Sequence, residues 1–308
     1  MIWARFQHDS QHYLRRNMDI GIALLMTQHD FNTIDLACKV EELGFESLWA
    51  PEHGIVPIDF KVEPAIGRQG GIPKFYAEGG INQIQDPLIF LAGAATVTKK
   101  IKLGTGICLV PERNPIRLAK EVATLDHLSE GRFLFGVGAG WLKGESEILG
   151  VDFPHRWKQT REYVDVMKEL WTTEVTEYHG EYIDFPPLVC SPKPVQKPHP
   201  PIFVGGELES AARRIARYGD GWLPRARNTS QYQDPDKLSG ARKHIEELMI
   251  QQGRNASEFN ITMWDAPADK EMNRRFADAG ANRVVHMLNT ADERSAHEAI
   301  EKVAEAVL

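Results

Sequence analysis

The sequence predicts an α/β chain folded as a (β/α)8 TIM barrel with insertions. Three observations predict it. Eight short apolar runs alternate with helix-forming segments from about residue 18 to the end. Those runs are of the kind buried on both faces of a parallel sheet. The chain's 308 residues, 42% hydrophobic and 26% charged, suit one large core. Parallel strands joined by right-handed crossovers make either a closed barrel or a doubly wound sheet. Eight units favour closure, because it removes both edge strands.

Residues 19–26 (DIGIALLM) form the first strand, and residues 31–43 place Ile34, Ala37, Cys38 and Glu41 at helical spacing. Gly44 follows as a helix-ending C′ residue. FESLWAPEH (45–53) is the second strand; the stretch 54–85 is a long Gly- and Pro-containing loop. Asp86-Pro87 reopens a helix with an N-cap and a first-turn proline. IKLGTGICLV (101–110) is the third strand, and Asn114-Pro115 opens its helix, 114–128. RFLFGVGAG (132–140) is the fourth strand, with a long helix over about 155–171. A hairpin-like excursion (174–185) and a proline-rich connector (191–201) then interrupt the rhythm. It resumes with strands at 201–206, 221–225, 259–264 and 282–288. Helices at 207–217, 237–252, 269–281 and from about 292 follow them. Residues 1–17 are too polar to anchor a core and read as a frayed extension; 18–308 read as one domain.

Composition excludes several classes. The formal net charge is -7, with basic residues dispersed among acidic ones, so no nucleic-acid partner is expected. No run of 18 apolar residues suggests a membrane span, and the N-terminus lacks the apolar region of a secretory signal. Cys38, Cys108 and Cys190 fit no disulfide or zinc spacing and read as reduced thiols in a cytoplasmic protein. H-E-x-x-H, P-loop and G-x-S-x-G patterns are absent, and no metal is expected.

Barrel active sites lie at the C-terminal ends of strands. His53, beside Glu52, is the foremost acid–base candidate, the other reading being a histidine bonded within its loop. His286 reads as a core histidine; His12, His29, His155, His179, His199 and His244 sit in exposed-looking segments. Gly205-Gly206 before a helix is either a phosphate cradle or a tight turn. Gly136-x-Gly138-x-Gly140 lets a ligand approach the backbone. Trp141 either stacks on a bound ring or packs under its loop. Glu145 and Glu147 are acid–base groups or helix-face charges, and Arg113, Arg225 and Arg227 meet an anion or solvent.

Taken together, ELGFESLWAPEH, the block at 102–141, SPKPVQKPHPPIFVGG and AARRIARYGDGW resemble the luciferase-like monooxygenase family, in particular its coenzyme F420-dependent branch. The resemblance runs over about 18–224, and 225–308 fits as barrel completion. It implies a bacterial luciferase-like barrel holding F420, or alternatively FMN, in its mouth. It implies a non-prolyl cis peptide at Gly106–Ile107 backing the ring. It places Glu52 and His53 beside the ring, Arg113 and Asn114 as a polar pair near it, Gly138 and Gly140 along it, and Gly205 and Gly206 at the phosphate. Trp141 stands where sugar-phosphate dehydrogenases of the family carry a catalytic glutamate, so a hydrophobic or aromatic small-molecule substrate is expected. A flavin or F420 reductase and a second copy of the chain are the implied partners. A barrel that has lost its cofactor and only binds ligand is the reading from another class.

Overall fold

The computed structural model describes residues 18–26, 32–58, 83–226, 234–290 and 293–308. The 1–17 extension, most of the 54–85 loop, His12, His29 and Arg227 lie outside them. The strands are β1 (Asp19–Met26), β2 (Ser47–Ala50), β3 (Lys102–Thr105), β4 (Cys108–Leu109), β5 (Phe133–Gly138), β6 (Thr176–His179), β7 (Asp184–Leu188), β8 (Ile202–Gly205), β9 (Gly221–Leu223), β10 (Asn260–Trp264) and β11 (Arg283–Thr290). Eight of them close a parallel ring in the order β1-β2-β3-β5-β8-β9-β10-β11, with β11 pairing back to β1 over Asp19↔Arg283 to Met26↔Thr290. The short β4 continues beyond β3 and pairs with the end of β5. The predicted barrel is the observed one.

The helices are α1 (Thr33–Glu42), α2 (Pro87–Val97), α3 (Pro115–Leu128), α4 (Lys143–Ile148), α5 (Arg156–Thr172), α6 (Leu208–Tyr218), α7 (Pro235–Gln251), α8 (Lys270–Asp278) and α9 (Glu293–Val307). Three begin with an Asp or Asn cap followed by proline: Asp86 for α2, Asn114 for α3 and Asp234 for α7. The cap satisfies first-turn N–H groups and proline gives up a donor that has no partner there.

Alternate strand residues divide the core. Ile22, Leu48, Leu103, Phe135, Val204 and Met263 face the helices. Ala23, Trp49, Leu134, Phe203, Leu223, Trp264 and Val285 fill the barrel. The filling depends on glycine opposite aromatic rings: a Cβ on Gly104 would stand 2.3 Å from Trp49, and one on Gly221 2.3 Å from Phe203. At the N-terminal end Arg283 donates to both Glu46 carboxylate oxygens at 2.7 Å.

Three sequence readings change. The 101–110 strand breaks at Gly106–Ile107, whose peptide is cis, as the family resemblance implies. A Cβ on Gly106 would be 2.2 Å from Trp264, so only glycine fits that bend. The second strand stops at Ala50, because Pro51 offers no ladder donor and the next two side chains are bonded away from the sheet. Glu145 and Glu147 do stand on a helix, α4, whose first turn has no side-chain cap to mark its start in the sequence. His199 is not exposed: its ring lies 5.7 Å from that of Trp171. The connector that carries it folds under the barrel, where Lys193 donates to Leu170 and Thr173 carbonyls and Gln196 to Asp126. The excursion before it is an antiparallel hairpin, β6–β7.

Candidate active site

The residues after β2, β4 and β5 converge at the C-terminal end of the barrel. His53 is mostly buried there, and its Nδ1 lies 2.7 Å from Oε2 of Glu145. Glu145 is fully buried on α4. Its other oxygen, Oε1, accepts from the backbone N–H groups of Gly54 at 2.6 Å and Ile55 at 3.2 Å. An ionised carboxylate can only accept, so Nδ1 is the donor in this bond. The Trp141 ring meets the His53 ring edge-on, centroids 5.6 Å apart. The imidazole is therefore fixed at one nitrogen and on one edge.

Glu52 is not the partner of His53. Its Oε2 accepts from Leu109 N–H at 2.6 Å and its Oε1 from Arg113 Nε at 2.7 Å. Arg113 also donates to Asp86 at 2.5 Å. The default of a solvated Arg113 is thus overturned: it ties the loop after β2 to the loop after β4 and to the α2 cap. The Asn114 side chain caps α3, accepting from Ile116 and Arg117 N–H at 3.1 Å.

A further acid lies behind this pair. Glu112 accepts from Ser146 Oγ at 2.7 Å. Burial, and then Glu145, push its carboxyl up to about 8. Sequence reading passed over Glu112 and Ser146, because the segment PERNP reads as a turn and a cap. Gly140 has a φ of 78°, and a Cβ there would be 2.8 Å from Glu112 Oε1. Glycine is needed at that position for Glu112's approach, whatever else it does.

The floor of the mouth is apolar. Ile107 and Met287 are partly buried on top of the cluster that holds Trp49 and Trp264. Gly138 makes room for Ile107, since a Cβ there would lie 1.8 Å from its Cδ1. Gly205 sits 3.3 Å from Ile107 Cγ2 by the same measure, while Gly136 faces the Thr105 carbonyl at 1.9 Å. These glycines shape the floor through Ile107 rather than leaving backbone bare.

At the rim, Gly206 has a φ of 116° and leads into α6, whose N-terminus has no side-chain cap. Arg225, bridged to Trp264 at the end of β9, has a buried Nε without a partner among the described residues. Glu207 shares this rim, and burial, then Glu209, push its carboxyl up. His286, as expected, is a core residue, its Nδ1 3.0 Å from the Ala266 carbonyl. Among the described residues no three His, Cys, Asp or Glu groups come together as a metal site, and no helix is long and apolar enough to cross a membrane.

Comparison with known proteins adds to this geometry. The model of the luciferase-like monooxygenase family matches residues 18–268. An uncharacterised protein of Mycobacterium tuberculosis is 32% identical over 290 residues, 93% of this chain and 98% of its own. An FMNH2-dependent dimethylsulfone monooxygenase of Pseudomonas putida is 26% identical over 191 residues, 61% of this chain and 50% of its own. Among solved structures, an F420-dependent secondary alcohol dehydrogenase in complex with an F420–acetone adduct superposes with a TM-score of 0.71 at 20% identity, over 95% of this chain and 100% of its own.

Proposed function

The chain belongs to the luciferase-like monooxygenase family, and we propose that within it the protein is an F420-dependent oxidoreductase acting on a small hydrophobic or aromatic alcohol or carbonyl compound. The observation that carries this reading is the anchored His53. Moving a hydride to or from a carbon that bears oxygen requires a proton to move at that oxygen. A histidine held at Nδ1 by a buried carboxylate, with Nε2 as its second nitrogen, is built for that exchange.

The mouth fits such a cofactor in kind. Ile107 and Met287 offer an apolar floor for a flat ring. The uncapped α6 N-terminus and the unpartnered Arg225 Nε suit a phosphate. A bound deazaflavin would supply the hydride acceptor or donor. In alcohol oxidation His53 takes the hydroxyl proton as the carbon-bound hydride leaves; in the reverse direction it returns that proton to the carbonyl oxygen. Glu145 keeps the ring in one tautomer, and Trp141 keeps water from its edge. Glu52 holds Leu109 and Arg113 and takes no part in proton transfer. A homodimeric, cytoplasmic enzyme supplied by a separate reductase belongs to the same reading.

A second reading is an FMN-dependent monooxygenase using reduced flavin and O2, favoured by the Pseudomonas putida relative. Anaerobic titration with F420 and with FMN separates the two, with quenching of Trp141 fluorescence as the signal. Tighter binding of F420 is expected; tighter binding of FMN overturns the first reading in favour of the second. Binding of neither makes the barrel a ligand-binding protein without redox function.

A further inference from the structure

On the outer wall of the barrel α5 and α6 run side by side. Trp157, Arg161 and Asp165 recur every four residues along α5, and Ser210, Arg214 and Tyr218 do so along α6. Residues so spaced share one helix face. The Arg214 guanidinium lies over the Trp157 ring, 3.7 Å from its centre, so the two stripes face each other.

Three buried polar atoms in this seam have no hydrogen-bond partner among the described residues: Arg161 Nε, Arg214 Nη1 and Tyr218 Oη. Tyr218 is only 1% exposed. All three are donors, and buried donors are rarely left unmet. The charges around them are mostly of one sign. Burial, then Arg156 and Arg213, depress the proton affinity of Arg214, with only Tyr218 opposing them. Asp165 and Glu162 are the acids beside the seam; Arg217, Lys168 and Arg161 act on Asp165 through space, but no oxygen of it comes within ion-pair distance of Arg161 or Arg217 among the described residues. Arg161 and Arg214 are half-buried and the neighbouring Arg213 and Arg217 are exposed, so the seam lies close to the surface although its three unmet donor atoms are themselves covered.

We propose that the seam between α5 and α6 is an oxyanion site, in which one phosphate or carboxylate group accepts from Arg161, Arg214 and Tyr218. Planar guanidinium forks match the oxygen spacing of such groups. A water molecule would accept from these donors but bring no charge to set against the two guanidinium groups. The site is wired to the barrel mouth: Arg156, on the same helix, donates from Nε to the Gly140 carbonyl at 3.0 Å. An anion bound here steadies the end of β5 beside Trp141. Two sources supply the chemistry, free phosphate and the anionic tail of a cofactor seated in the mouth. The second source rests on the function proposed above; the first does not.

The test uses the full chain, in chloride buffer, titrated with inorganic phosphate at constant ionic strength. Thermal stability and tryptophan emission are followed together, because Trp157 lies under Arg214. Wild type is expected to show a saturable rise in Tm and a change in emission. Tyr218→Phe is expected to bind phosphate roughly tenfold more weakly, the loss of one hydrogen bond to a charged group. Arg214→Lys, which keeps charge but loses the fork, is expected to weaken it as well. If phosphate does no more than chloride, or acts equally on all three proteins, the site does not exist. Competition of phosphate with F420, but not with a deazaflavin lacking phosphate and tail, assigns the site to the tail. Phosphate binding without any effect on F420 affinity assigns it to the free ion. Failure of F420 to bind at all sinks the proposed function while leaving the phosphate result intact.

Discussion

Nδ1 of His53 and Oε2 of Glu145 stand 2.7 Å apart, joining the loop after β2 to the helix after β5 across 92 residues of sequence. Glu145 is fully buried and the His53 side chain nearly so. On the proposed function the pair makes separable demands on the chain: His53 for chemistry, Glu145 for the pose of His53 and of the backbone behind it.

Replacing His53 by alanine should lower kcat by about 10²- to 10⁴-fold, the usual worth of a positioned acid–base group. Cofactor affinity should change little. Steady-state kinetics together with a cofactor titration check this, and unchanged turnover would return His53 to a purely structural role.

Glu145→Gln and Glu145→Ala should behave differently. The glutamine keeps an acceptor for the Gly54 and Ile55 N–H groups but presents an amide where the Nδ1 acceptor stood. Its stability should stay within about 1 kcal/mol of wild type while kcat falls and the pH profile moves. The alanine removes the acceptor of the Gly54 and Ile55 N–H groups together with the partner of His53, and should cost more than the glutamine, about 1–2 kcal/mol in urea denaturation. Equal destabilisation by both variants would contradict the assignment.

Stability should fall on both sides of about pH 4.5, for different reasons. Burial pushes the Glu46 carboxyl up, but the hydrogen bonds from Arg283 outweigh it and bring it down to about 2. Its folded pKa lies below the unfolded 4.5, so the stabilisation is present above pH 4.5 and is lost as pH falls towards 2; it amounts to roughly 3 kcal/mol. Glu112 is the reverse case. Its folded pKa of about 8 lies above 4.5, so its contribution is full below pH 4.5 and drains away as pH rises to 8. Glu112→Gln should flatten the alkaline limb alone, and Glu46→Gln the acid limb alone, in Tm measured against pH.

Alanine at two glycines of β5 should separate folding from binding. At Gly136 the new Cβ meets the Thr105 carbonyl at 1.9 Å, and backbone cannot step aside. The variant should lose about 3 kcal/mol or more, or fail to fold. At Gly138 it meets the end of the Ile107 side chain, which can turn. That variant should fold, with a Tm within a few degrees of wild type and weaker cofactor binding because Ile107 rises into the floor. Intact cofactor affinity in Gly138→Ala would show that the ring does not rest on Ile107.

The barrel was legible because each of its strands is a short apolar run closed by a turn or cap, as DIGIALLM and the Asn114-Pro115 opening show. The place of His53 was legible for the same reason, since a polar residue at a strand end is conspicuous. Its partner was not. Glu145 lies 92 residues away on a six-residue helix with no cap signal, and only folding brings it near. Glu52 and His53 take different partners although they are neighbours, because successive side chains of an extended chain leave on opposite sides. At Gly138 and Gly140 the room a Cβ would need is taken by Ile107 and Glu112, neighbours that a glycine pattern does not announce.

The same two anchors that organise the mouth also fasten both ends of the long segment between β2 and α2. Glu145 grips its start at Gly54 and Ile55, and Arg113 grips the Asp86 cap where α2 begins. Neither clamp draws on the residues between them, so changes of sequence there are expected to leave the His53–Glu145 contact in place. The barrel is in this sense a socket with an exchangeable cassette. Transplanting that cassette between related chains should transfer substrate preference while the chemistry stays with the recipient.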